Sequence, residues 1–484
     1  MMRSYKVKKK FDVVIIGGGP GGLSIGSLLA KEGISSAIIE REQNLGGRYR
    51  SVEFHGCRSD NGVRMPTGLV QTPEETYMHK FLAHMGIEVE TKVVDWTMGK
   101  VSRGNPDRIE YFTMDVGKGI DNFFDFFAFG SGMEMEEPTK QSMMKAFRIM
   151  EDTSVDECRK LVSIPFSDWM DKNIEDPIAR IVLELAAPLM GAPANVVNYG
   201  AFANIMGTFP RVGALLFWYP KSGNMEDMVI GPLTKYYSEN GGTIVTNTRA
   251  RSIEIENGKV KGVVVQNNET RFVEEYEGQA VICAMPIFEA IGRNVVAAEH
   301  LTEEWAQAIE LCSRLSYEDL SVFYLLRQDV FPRDGYGWVH LFDADYGIPT
   351  YVGDWCVGSQ YNAIEPTGKQ LIYSYIPGGL PDTHFGLASP MPVVKEAISR
   401  WEEAVEKVYP HFLESVEHKG MSLQLNWGRY SWAAVPTEID IASPNIKGLF
   451  FAGDTIRSVT SMVSDKIFQM AFPLQERVLE YLRS

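Results

Sequence analysis

An α/β fold built on a parallel sheet of Rossmann type is predicted by three observations. A short apolar run at 13–16 (VVII) is followed at once by Gly17-x-Gly19-x-x-Gly22. Leu23, Ile25, Leu28 and Leu29 then recur at helical spacing, so the glycines sit between a strand and a helix. A second apolar run at 36–39 (SAII) ends in Glu40, about 20 residues beyond the glycines.

Each part of that unit has a physical reason. Gly17 permits the tight turn, and Gly19 lets a pyrophosphate approach the backbone. Gly22 lets helix and strand pack closely, and Pro20 lies within the same turn. The helix N-terminus faces the phosphates with free N–H groups and a partial positive charge. Glu40, followed by Arg41, suits the hydroxyls of a ribose and repels a 2′-phosphate, so NADP is disfavoured. The alternative is a glycine-rich structural turn.

The chain has 484 residues, long enough for two or three domains and a large core. It is 45% hydrophobic and 23% charged, the balance of an ordinary globular protein. A net charge of −16 argues against a broad nucleic-acid footprint. The basic cluster from Arg3 to Lys10 is expected to solvate a frayed N-terminus, with lipid contact as the alternative. Cys57, Cys158, Cys283, Cys312 and Cys356 stand far apart, without metal or disulfide spacing. The eight histidines show no metal spacing either. This pattern favours a reducing, cytoplasmic setting. Neither a secretory leader nor a membrane span is expected.

Residues 43–50 form a second glycine-rich loop. Gly46 and Gly47 permit backbone close to a ligand, and Arg48 can reach phosphate or flavin oxygens. A bare nicotinamide dehydrogenase has no reason for this loop. Asp60-x-Gly62 and then Arg64-Met65 follow.

Together, Gly17-x-Gly19-x-x-Gly22, Glu40 with five residues before Gly46-Gly47-Arg48, and Asp60-x-Gly62 resemble the FAD-dependent amine oxidase and phytoene desaturase superfamily. Residues 219–223 (YPKSG), a helix expected over 225–237, 241–244 (GGTI) and 249–253 (RARSI) look like that superfamily's adenine-contacting run. Ala250 stands where it usually has Val. Residues 448–454 (GLFFAGD) look like the closing flavin motif, with Gly453 ending a strand and Asp454 on the ribityl chain or pyrophosphate. A helix over 461–469 would then aim its N-terminus, near Met462, at the flavin N1/O2 edge.

The resemblance implies a Rossmann-like FAD-binding domain of the glutathione-reductase type, interleaved with an α+β substrate domain. Residues 1–95, 215–310 and 430–484 are assigned to FAD, and 96–214 with 311–429 to the substrate. Arg64, and Met65 beside it, are placed at the flavin; a substrate carboxylate or a structural role for Arg64 is the alternative. Asp465 and Lys466 are candidate proton carriers, against a surface ion pair. Tyr430 and Trp432 either sandwich the substrate or pack in a core. A rough alignment puts Ser321 where amine oxidases carry a lysine.

Elsewhere, helices are expected over 74–85, 178–190 and 393–408, and paired strands over 320–326 and 371–376. The aromatic stretch 123–129 (FFDFFAF), with Met133, Met135, Met143, Met144 and Met150, reads as helical core or as an apolar substrate-facing patch.

No second glycine motif follows a strand, so electrons are expected to pass from an organic substrate to an external acceptor, oxygen or a quinone. The leading expectation is a dehydrogenase or desaturase moving hydride between a hydrophobic, isoprenoid or alicyclic, molecule and flavin N5. The alternatives are an amine oxidase and a non-enzymatic prenyl binder like the Rab GDP-dissociation inhibitors. Peripheral membrane contact is a secondary expectation.

Overall fold

The structure is a computed structural model. It describes residues 6–60, 73–94, 97–101, 109–113, 120–131, 134–187, 194–207, 217–314, 317–331, 368–376, 391–427, 437–454, 456–457, 459 and 463–484. All structural statements concern these residues.

Strand β1 (Lys6–Ile16) leads through the glycine turn into helix α1 (Pro20–Lys31), and β2 (Ser36–Ile39) follows. Val13, Val14, Ile15 and Ile38 have no exposed surface, as befits strands covered on both faces. A hairpin of β3 (Ser51–Phe54) and β4 (Cys57–Asp60) comes next, then helix α2 (Tyr77–His84). The helix expected over 74–85 thus begins late. The Thr76 hydroxyl oxygen accepts the His79 N–H at 3.2 Å and sets its start.

The middle of the chain supplies β5 (Thr91–Val94), β6 (Thr97–Val101) and β7 (Ile109–Thr113). Six helices follow: α3 (Ile120–Ser131), α4 (Glu137–Asp152), α5 (Val155–Lys160), α6 (Phe166–Asn173), α7 (Pro177–Ala186) and α8 (Tyr199–Met206). Strand β8 (Phe217–Pro220) returns the chain to β5. A π-turn at Glu226–Ile230 runs into helix Gly231–Glu239 where one helix was expected over 225–237. Then come β9 (Thr243–Val245), β10 (Thr248–Glu256), β11 (Lys259–Asn267) and β12 (Val273–Cys283). Strands β13 (Tyr317–Leu326), β14 (Gln370–Ile376) and β15 (Val416–Trp427) form an antiparallel sheet, ordered β14-β13-β15. Helix Met391–Val408 precedes β15. Strand β16 (Leu449–Phe451) and helix Val463–Arg483 complete the described chain.

The main sheet runs β10-β11-β12-β1-β2-β9, and β16 pairs with β12 beyond the end of β11. Strands β9, β2, β1, β12 and β16 are parallel, and their last residues are in register. Val245 pairs with Ile39, Ile39 with Ile16, Ile16 with Cys283, and Cys283 with Phe451. Five carboxyl ends therefore form one level rim, where open α/β sheets bind ligands.

The N-terminal expectation needs correction. Lys6 to Lys10 are not frayed but extend β1 beside Glu274, Glu275 and Glu277 of β12. Lys10 Nζ lies 3.2 Å from Glu277. Opposite charges on facing strands stabilise the pairing.

Two buried clusters result. One gathers β1, β2, α1, α2, residues 225–309 and the C-terminal segment. The other gathers the helices of 124–206 with Phe323, Leu325 and Leu371. Met143 and Met150 are buried in it, and Met144 packs against it, as the helical-core reading requires. Met133 lies outside the described residues. The β3–β4 hairpin packs on the second cluster through Val52, Phe54 and Cys57. Phe54 packs against Phe323 with ring centroids 6.0 Å apart, and His55 stacks on His418 of β15 at 3.7 Å. Among the described residues no helix is long and apolar enough to cross a membrane.

Candidate functional site

The rim is occupied by the first glycine turn. Gly17 has φ +106°, a conformation that side chains rarely tolerate. A Cβ on Gly22 would stand 1.9 Å from the Gly17 carbonyl oxygen, so α1 packs directly on the turn. Above Gly19 there is room: an added Cβ would find only Gly47 Cα, at 3.9 Å. Pro20 starts α1, and no side chain caps the helix N-terminus. Its first-turn N–H groups are therefore available to an anion.

Glu40, 7% exposed, follows β2. Its Oε2 accepts the Gly18 N–H at 2.7 Å and its Oε1 the Glu42 N–H at 2.9 Å. Gly18 lies between the motif glycines, and no letter of the motif announces this bond. The Glu40 carbonyl accepts the Thr248 N–H at 2.9 Å, which ties the start of β10 beside it. Ala250 lies two residues on, opposite Val265, with a register irregularity directly after it. Arg41 is largely outside this cluster and pairs with Glu42 and Glu289.

The second glycine loop folds onto the first. The Gly46 N–H donates to the Gly18 carbonyl at 2.8 Å, and the left-handed Gly46 leads into a 3-10 turn at Gly47–Tyr49. Arg48 then reaches across 406 residues of sequence. Its Nη1 and Nη2 donate to the two Asp454 carboxylate oxygens at 2.6 and 2.7 Å. Burial alone would raise the pKa of Asp454, which is 2% exposed, but Arg48 and then Lys466 outweigh it and hold the carboxyl below its usual range. Burial likewise opposes the Arg48 charge, and Asp454 more than restores it. A Cβ on Gly21 would lie 3.5 Å from Gly453 N, so the closing motif touches α1.

Two further carboxylates, missed in the sequence as structural groups, hold this frame. Asp60 accepts the Met225 N–H at 3.1 and 3.2 Å, and Glu226 accepts the Ser51 N–H at 2.9 Å. Acidic residues facing backbone donors across 165 or more positions leave no local pattern.

The C-terminal helix Val463–Arg483 starts inside the expected span 461–469. Asp465 and Lys466 are 1% and 0% exposed, so the surface ion pair considered for them is excluded. Asp465 Oδ1 accepts the Met78 N–H of α2 at 2.7 Å. Asp465→Ala is expected to cost about 1–2 kcal/mol, and Asp465→Asn, which keeps an acceptor, less than about 1 kcal/mol. Urea unfolding of the two variants measures this. A loss of turnover in Asp465→Asn without loss of stability would mark it as a proton carrier instead.

Arg64, Met65, Tyr430, Trp432 and Met462 lie outside the described residues. The rest of the cluster fits FAD. A Cβ on Gly19 would meet nothing nearer than Gly47 Cα at 3.9 Å, uncapped N–H groups and Arg48 suit a diphosphate, and Glu40 suits a ribose.

Comparisons with known proteins agree. A family model described as flavin containing amine oxidoreductase matches residues 20–463. A 4,4'-diapophytoene desaturase (4,4'-diapolycopene-forming) of Methylomonas sp is 23% identical over 78% of this chain and 74% of its own. Among solved structures, an oxidoreductase from Methanosarcina mazei superposes with TM-score 0.65 at 18% identity, covering 96% of this chain and 100% of that one. Cyclohexylamine oxidase from Brevibacterium oxydans does so with TM-score 0.63 at 15% identity, covering 98% and 100%. At such identities the two structures speak for the fold alone.

Proposed function

We propose, since this chain belongs to the flavin containing amine oxidoreductase family, that it is a dehydrogenase or desaturase of a hydrophobic, isoprenoid or alicyclic, substrate. That it is an FAD-dependent oxidoreductase follows from the family itself. The observation that carries the finer reading is the likeness to the Methylomonas desaturase along 78% of this chain.

FAD, when bound, supplies the acceptor for a hydride leaving the substrate. The chain's own residues do the remaining work. Gly17, Gly19, Pro20 and Gly22 would hold the diphosphate, Glu40 and Ala250 the adenosine half, and Gly46, Gly47, Arg48, Gly453 and Asp454 the rest of the cofactor. We assign residues 96–214 and 311–429 to the substrate lobe, and Arg64, Met65, Met462, Tyr430 and Trp432 to its border with the cofactor. A base or water takes the neighbouring proton, and an external acceptor, oxygen or a quinone, removes the electrons. The buried thiols of Cys158 and Cys283 are compatible with a cytoplasmic location.

Anaerobic mixing tests this. The protein is expected to purify yellow and to bleach on addition of an isoprenoid polyene or cyclic alkene. Bleaching by amines alone would replace this reading with amine oxidation.

A further inference from the structure

We propose that Lys466 is a second cation of the phosphate cradle, placed to bind the diphosphate of FAD beside Arg48. The proposal rests on the FAD site described above. Lys466 lies in the first turn of helix Val463–Arg483 and has no exposed surface. Its neighbours fix where that turn sits. Asp465 is tied to the Met78 N–H on one side. Ile467 Cγ2 lies 3.8 Å from the point a Cβ would take on Gly21, and Gly453 N lies 3.5 Å from the same point. The helix start, the closing motif and the first turn of α1 thus meet at one place.

Charge points the same way. Among the described residues Arg48 and Lys466 both act on the Asp454 carboxylate, against the opposing effect of burial. Arg48 has both terminal nitrogens on that carboxylate, which limits what it can offer a phosphate face-on. A lysine ammonium is a compact point charge with three donors, suited to phosphate oxygens without a fixed fork. A buried ammonium is stabilised by anions beside it, and a diphosphate would join Asp454 in that role.

The test is titration of apoprotein with FAD and, separately, with ADP, which carries the diphosphate without the flavin. In Lys466→Met both dissociation constants are expected to rise roughly ten- to hundredfold. In Lys466→Arg, which keeps the charge, they should stay within about threefold of wild type. Unchanged FAD affinity in Lys466→Met overturns the proposal. So does a loss confined to FAD with ADP unaffected, which would put the ammonium at the flavin end. An equal loss in Lys466→Arg and Lys466→Met overturns it too, by showing a packing role. Should Lys466→Met not fold, Lys466→Gln takes its place against Lys466→Arg with the same outcomes. Failure of the wild type to take up FAD would instead defeat the cofactor site as a whole.

Discussion

Arg48→Met is expected to abolish FAD retention and to cost about 3–5 kcal/mol of stability. The reason is Asp454. Its carboxylate is buried, and both its oxygens take donors from Arg48. Removing the guanidinium leaves a charge with its main compensation gone. Denaturant unfolding of the apoprotein separates this loss from the loss of cofactor. The double variant Arg48→Met/Asp454→Leu should recover most of the stability, since paired removal of a buried ion pair is often near neutral. It should not recover FAD. The pH dependence has a definite sign. Asp454 is held below its unfolded value of 3.8, so its contribution is complete above that pH and fades as pH falls through the lower folded value. Asp454→Asn should be less stable than wild type at neutral pH, with the difference closing in acid.

Glu40→Arg is expected to lower the flavin content of purified protein below about a tenth of wild type, equivalent to a loss of more than about 1.4 kcal/mol in binding. Glu40 does two things at once. In the proposed site it would offer a carboxylate to a ribose, and in the fold it anchors Gly18 of the first loop and Glu42 of the second strand's exit. An arginine has no acceptor for either N–H. The ratio of flavin to protein absorbance measures the outcome, and equal occupancy would remove Glu40 from the site.

The β1–α1–β2 unit was legible because each letter has a backbone reason. Strands buried on both faces must be continuously apolar, and the three glycines answer steric demands that Cβ distances bear out at Gly22. The paired strands at 320–326 and 371–376 were legible from two apolar runs, while their antiparallel register, Leu320 with Ile376 and Leu326 with Gln370, was not. What stayed hidden depends on partners far along the chain. Lys6 to Lys10 looked like a solvated tail because their acidic counterparts on β12 lie more than 260 residues away. For Asp465 and Lys466, read as candidate proton carriers against a surface ion pair, burial could not be read from the sequence, since no pattern reveals that the Met78 N–H takes Asp465 as its acceptor. Arg48 and Asp454 each read as cofactor contacts, but their bond to each other could not be read from either motif. The π-turn at Glu226–Ile230 has no compositional mark that separates it from an α-helix.

The bond between Arg48 and Asp454 joins two side chains translated 406 residues apart. At ordinary rates of synthesis about 20–80 s separate the emergence of these two side chains from the ribosome. During that interval the nascent protein presents half a clasp, which closes only once Asp454 has emerged and folded back. Until then the Arg48 guanidinium lacks the carboxylate that both its terminal nitrogens meet in the finished fold.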